Sequence, residues 1–233
     1  MDVLPVAAAL VLAAVHFFAG ALRFLDRVPR SRWLSAAGGI SVAYVIVHLL
    51  PELSQFQEAI RESAPPVLAS LERHAYLFAL VGLAVFYGVE LHSRAARQRH
   101  GRPDAGATAF AFSTYAAYNG VIGYLLARRT DSLLLFAVAM GLHFLVNDHG
   151  LRAHHEHTYH RWGRWLLSAA VVAGAVAGVL VEVPEATIGV LFAFIAGGTL
   201  LNVLKEELPE ERQSRFGAFL GGAAGYTAVL LAL

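Results

Sequence analysis

The chain has 233 residues, of which 57% are hydrophobic and 15% charged, with a mean hydropathy of +0.56, far from soluble domains, where about a quarter of residues are charged. Its 18 Lys+Arg against 17 Asp+Glu leave a net charge of +1, which excludes a basic nucleic-acid-binding surface. No cysteine is present, so disulfide frameworks, thiolate metal sites and cysteine nucleophiles are excluded, and any metal ligand must be His, carboxylate, amide or carbonyl.

A hydrocarbon core of about 30 Å takes about 20 residues of helix. Eight apolar stretches of that length are predicted, over 3–22, 33–52, 74–92, 106–127, 132–151, 164–182, 186–205 and 214–233. The expected fold is therefore an all-α membrane bundle, one integral membrane domain over 1–233. Asp2 is the only charge ahead of the first stretch, while Arg23, Arg27, Arg30 and Arg32 follow it, which reads as a retained span rather than a cleaved leader. Eight crossings place alternate connections on one side, and those connections hold all the Lys and Arg except Arg61, Arg73, Arg128 and Arg129. The positive-inside rule then puts them in the cytoplasm and both termini outside, as suits a bacterial inner membrane.

The second stretch ends His48-Leu-Leu-Pro-Glu52 and the seventh Glu206-Glu-Leu-Pro-Glu210. Because the two would run in opposite directions, the shared ending fits an inverted repeat, with stretches 1–3 (3–92) and 6–8 (164–233) flanking stretches 4–5 (106–151) in a 3+2+3 order. The alternative is that Pro and Glu stop two helices at interfaces.

Polar side chains inside a span are expensive and mark partners, cavities or pathways. Asn119 lies roughly 20 Å along stretch four and His143 roughly 17 Å along stretch five, both near the midplane. His143 and Asn147 share a helical face at i, i+4, with Asp148 turned towards the flank. Asn119, His143, Asn147 and Asp148 form the candidate metal set, since imidazole, amide and carboxylate suit borderline divalent ions. Hydrogen bonding between packed helices is the alternative for the same residues. His48 and Glu52 at one end, and Asn202 and Glu206 at the other, are candidate pathway residues. His16 either lines that path or bonds a neighbour. The connection after stretch five carries His149, His154, His155, His157 and His160, a density that fits transient metal capture or a polar interfacial loop. Small-residue runs such as Gly174-x-x-x-Gly178 and Gly217-x-x-x-Gly221-Gly222-x-x-Gly225 fit either tight internal packing or a homodimer seam.

Taken together, the eight spans, the His-Leu-Leu-Pro-Glu ending, the Ala196–Glu210 stretch and the polar fourth and fifth helices resemble the Zrt/Irt-like (ZIP) divalent metal transporters over nearly the whole chain. In that family helix four carries His-Asn-x-Pro-Glu-Gly. Here Tyr118-Asn-Gly-Val-Ile-Gly123 keeps Asn119 and Gly123, with Tyr118, Val121 and Ile122 in place of His, Pro and Glu. On helix five His143 matches a ligand position, Asn147 stands where His or Glu is usual, and Phe144 replaces a carboxylate. Glu206 matches an acid on the cytoplasmic exit. The resemblance implies a divergent member with a degenerate core site, moving zinc, iron(II) or manganese as substrate towards the cytoplasm by alternating access. The alternative expectation is a transport-deficient metal sensor or regulatory protein on the same fold. No His-Glu-x-x-His or Gly-x-Ser-x-Gly motif is present, so an enzyme is not expected.

Overall fold

The fold, taken from a computed structural model, describes residues 3–22, 31–63, 74–100, 104–128, 133–208 and 214–232. Among these, all regular structure is helical and no strand occurs. The helices are α1 (Leu4–Phe18), α2 (Arg32–Ala43), α3 (Leu50–Ser63), α4 (His74–His100), α5 (Ala105–Arg128), α6 (Leu133–Thr158), α7 (Arg164–Leu180), α8 (Glu185–Glu207) and α9 (Phe216–Ala232). Arg23, Arg27, Arg30, Arg73, Arg102, Arg129, Pro209, Glu210 and Arg212, on which parts of the charge count and of the repeat rest, lie outside the described residues.

Five helical segments are long and apolar enough to cross a membrane: Leu4–Ala21, Arg32–Ser63, His74–Ala96, Leu133–Leu180 and Glu185–Glu207. The chain has the character of an integral membrane protein. The difference from eight stretches has local causes. Ser, Thr, Tyr, Asn and Gly dilute the hydropathy of α5, α9 has only 17 residues, and α6 runs into α7 without a break. Large apolar side chains such as Val11, Trp33, Leu80, Leu134 and Leu231 are exposed on the outer faces, as a lipid-facing surface requires.

Two expected helix ends are absent. Pro51 does not stop the second stretch. A π-helical segment, Tyr44–Leu49, precedes it, and its wider turn gives the proline ring room inside one continuous helix, which runs on to Ser63. Nor is there a loop from His149 to His160. No Gly or Pro falls between Gly150 and Gly163, and the chain stays helical through Thr158, kinks at His155 (φ −142°, ψ 45°), and passes through a π-helical segment, Tyr159–Gly163, into α7.

By their most extensive contacts the helices sort into two groups, α1, α5 and α7 in one and α2, α3, α4, α8 and α9 in the other, with α6 packed against both α1 and α2. Within the groups, glycine backbones touch their neighbours directly. A Cβ at Gly39 would fall on the Phe219 carbonyl, at Gly222 on Ala36, at Gly82 on Phe194, at Gly197 on Ala79, at Gly123 on Val171 and at Gly174 on Gly120. Direction is legible from paired contacts. Ser35 meets Arg215 and Tyr44 meets Tyr226, so α2 and α9 run parallel. Phe86 meets Phe194 and Glu90 meets Lys205, so α4 and α8 are parallel too. Ala13 bonds Ser168 while Phe17 meets Trp165, so α1 and α7 are antiparallel.

Substituting Gly197→Val should lower stability by about 1–3 kcal/mol or more through overpacking against the Ala79 carbonyl. Gly217→Ala and Gly221→Ala, whose added Cβ meets nothing among the described residues, should stay within about 0.5 kcal/mol of the parent. Denaturant titration in detergent, followed by circular dichroism, separates these outcomes.

Candidate functional site

The polar residues predicted at membrane depth are all buried: His16, Asn119, His143 and Asp148 are 0% exposed and Asn147 2%. They do not form one cluster. Two networks take up all of them but Asn147, whose Nδ2 is buried without a hydrogen-bond partner among the described residues, and a third lies towards one end of the bundle.

The first joins α1, α5 and α6. His16 Nδ1 donates to Asp148 Oδ2 at 2.7 Å, and the Asn119 amide Nδ2 donates to His16 Nε2 at 3.0 Å, so the imidazole is held at both nitrogens. The Tyr159 hydroxyl lies 2.8 Å from Asp148 Oδ2 and 2.7 Å from the His16 carbonyl, one proton between two acceptors. The His16 ring stacks on Phe144, centroids 4.6 Å apart. Asp148, expected on the flank, is thus the anchor of the network. The face shared by His143 and Asn147 points elsewhere, and only the rotation between positions 143 and 148 brings the carboxylate round to α1.

The second network centres on Tyr118. Its hydroxyl lies 3.3 Å from His143 Nε2 and 3.4 Å from the Ile195 carbonyl, and forms a very short contact with the Thr199 hydroxyl. Tyr118 supplies a phenol that ties α5 and α6 to α8. The third network is continuous in direction: Lys205 Nζ donates to the Tyr115 hydroxyl at 2.5 Å, and Tyr115 donates to Asn202 Oδ1 at 3.0 Å. Lys205 also donates to Glu90 Oε2 at 3.2 Å, and Arg94 Nε donates to Glu90 Oε1 at 2.8 Å.

The remaining predicted residues are dispersed. His48 Nε2 and Glu52 Oε2 are 3.7 Å apart on consecutive turns. Asn202 joins the third network, and Glu206, 3% exposed, lies beside it. His155 is buried against Thr108 at 3.3 Å, whereas His154, His157 and His160 are exposed and His149 half-buried along the end of α6 and the π segment. Among the described residues no group of three or more His, Asp or Glu side chains converges as a metal site. Tyr159 and Glu90 were not anticipated. Glu90 could have been found from its i, i+4 spacing to Arg94; nothing in the sequence distinguishes Tyr159 from other interfacial tyrosines.

What marks the first network as more than packing is its unused oxygens. Asp148 Oδ1 and Asn119 Oδ1 are buried without a hydrogen-bond partner, as is His143 Nδ1, a costly arrangement in an apolar interior.

Breaking the pair by His16→Ala leaves the Asp148 carboxylate with only Tyr159, and should cost about 3–5 kcal/mol. Tyr159→Phe, which removes one shared hydroxyl, should cost about 0.6–1.7 kcal/mol, the range of interhelical hydrogen bonds in membranes. The double variant should cost less than the sum, because both act on one carboxylate; denaturant midpoints in detergent report each value. No protein-family model matches this chain, and neither a curated protein nor a solved structure is significantly similar to it.

Proposed function

We propose that the chain is an eight-pass, ZIP-like membrane carrier of divalent transition-metal ions, with its cargo site at the first network. The observation that carries this reading is the pair of orphaned oxygens, Asn119 Oδ1 and Asp148 Oδ1, flanking an imidazole that both residues already hold. Two buried oxygen lone pairs beside a nitrogen donor lack a positive partner, and a borderline divalent cation supplies one. Since His16 spends both nitrogens on hydrogen bonds, a bound ion must displace one of them. Binding is then weak and reversible, as transport requires.

Helix directions support eight crossings. Chains that cross alternately must have the second and eighth spans parallel, the third and seventh parallel, and the first and sixth antiparallel, as α2/α9, α4/α8 and α1/α7 are. The inverted repeat has support beyond Leu-Pro-Glu. The offset that carries Leu50-Pro51-Glu52 onto Leu208-Pro209-Glu210 also carries Gly39 onto Gly197 and Ser41 onto Thr199. Gly39 packs on α9 and Gly197 on α4. Ser41 reaches the Ala139 carbonyl on α6 at 3.5 Å, and Thr199 reaches Tyr118 on α5. Both relations interchange under one exchange of the two repeats.

A second reading, a transport-deficient metal sensor or regulatory protein, is favoured by one observation: Tyr118, Thr199 and His143 Nε2 are committed to one another where a carrier would present open ligands.

Proteoliposomes loaded with a metal-sensitive dye decide between them. The carrier reading expects zinc, manganese or iron(II) influx that Asp148→Asn and His16→Ala each reduce at least about tenfold, equivalent to about 1.4 kcal/mol, with Tyr124→Phe, a control at the far end of α5, unchanged. Wild-type flux no greater than that of empty vesicles, or undiminished flux in Asp148→Asn, removes it. Equilibrium metal binding without flux selects the second reading.

A further inference from the structure

Lys205 lies near the last turn of α8, 14% exposed, and its ammonium is not directed to solvent. It is received by two groups from two other helices: Glu90 Oε2 of α4 at 3.2 Å and the Tyr115 hydroxyl of α5 at 2.5 Å. A carboxylate and a phenol oxygen are what a compact cation seeks on leaving water. The same wall encloses a cavity of about 20 Å³, room for one water, lined further by Ser93, His154 and Glu206. Gly150 makes space for the Glu206 carboxylate, since a Cβ there would fall on it. Glu206 is 3% exposed, so a second acidic group borders the place where the ammonium sits.

We propose that Glu90, Tyr115 and Glu206 form a cation site at this end of the bundle, and that its resident occupant is the chain's own Lys205 ammonium. Lys205 is a tethered ion. A free cation of similar size and charge competes for the same oxygens, and enters only when the lysine side chain swings out. The site stands on its own geometry. Its place on a transport path rests on the carrier reading above, where Lys205 would hold the inner half of the route shut between cargo ions. An ordinary ion pair at a helix end is the alternative, and differs in leaving no pocket when the lysine is removed.

Removing the side chain distinguishes them. Glu90 keeps its bond to Arg94 at 2.8 Å in the Lys205→Ala protein, so the fold retains a partner for that carboxylate. Purified Lys205→Ala is titrated with methylammonium chloride in detergent, with choline chloride at equal ionic strength as the bulky control, while the thermal midpoint is followed. A site left empty predicts a saturable rise with methylammonium, about 3–6 °C at ten times the dissociation constant. Choline should give none, wild type should not respond, and Lys205→Ala/Glu90→Gln should lose the response. Lys205→Ser, which also opens the pocket, should behave as Lys205→Ala does. Equal responses in wild type and variant, or no saturable response in either variant, overturn the proposal. So does failure of both variants to fold even when methylammonium is supplied throughout purification. The readout is binding alone: rescue without vesicle flux would remove the carrier reading and keep the site, and flux without rescue would do the reverse.

Discussion

His16 and Asp148 meet at 2.7 Å with neither side chain exposed, in a bundle whose outer faces are apolar. A carboxylate without a partner in such surroundings costs several kcal/mol, so the contact fixes what may surround it. It sets the rotation of α6, because Asp148 must face α1. It sets the register of α1 against α6, because the ring stacked on Phe144 has both nitrogens committed. It also explains the path of the chain after α6. Tyr159 must return to Asp148 and to the His16 carbonyl, and the kink at His155 followed by the π-helical segment brings it there. An apolar groove of about 630 Å³ runs along α1 and α6, lined by side chains such as Leu12, Val15 and Leu142, and beside it the polar contact and the stacking of His16 on Phe144 join the two helices.

Elsewhere the bundle is held by backbone approach. Lipid tails are as apolar as leucine, so helices gain little by merely hiding apolar surface, and close packing must supply the attraction. Gly39, Gly82, Gly197 and Gly222 bring α2 to α9 and α4 to α8 at carbonyl contact, and Gly123 and Gly174 do so for α5 and α7. Each of these contacts lies inside one of the two helix groups. Among the described residues, Gly217, Gly221 and Gly225, in the same run as Gly222, meet no neighbour at the Cβ position, and Gly222 alone of that run works in packing between them.

Five of the apolar segments were legible in the sequence, because length and hydropathy set them, and so was the burial of His16, Asn119, His143, Asn147 and Asp148, because polar side chains inside apolar stretches turn towards neighbouring helices. Partners were less accessible. Asp148 looked peripheral since helical spacing reports angles within one helix, whereas its partner, His16, is contributed by α1, far away in sequence. The histidine-rich stretch looked like a loop because composition suggested it, yet without Gly or Pro between Gly150 and Gly163 nothing stopped the helix. Pro51 misled in the opposite sense: a π segment immediately before it lets the helix pass through the proline. Glu90 stands at the end of a long apolar stretch, and while its spacing to Arg94 is visible in the sequence, its pairing with Lys205 on α8 is not.

How the three networks divide between the two helix groups bears on movement. The first, His16, Asn119, Asp148 and Tyr159, joins the group of α1, α5 and α7 to α6 and to the segment between α6 and α7. The second and third cross to the other group: Tyr118 to Thr199, Tyr115 to Asn202 and Lys205, and beyond Lys205 to Glu90 on α4. Ser41 bonds the Ala139 carbonyl, Tyr226 bonds that of Leu135, and Leu34 and Ala37 pack on Val146, so α6 is tied to α2 and α9 as well. A rigid rotation that carried α6 with α1 against the other group would therefore break hydroxyl and ammonium bonds and the apolar packing of α6 on α2, while the His16–Asp148 pair travels intact. Phe144, 4.6 Å from His16 and 6.1 Å from His143 between ring centroids, stands between the network that moves as a body and the one that must be remade. The costly buried carboxylate is thereby kept out of the seam, which is the condition under which two packings of such a bundle can lie within a few kcal/mol of each other.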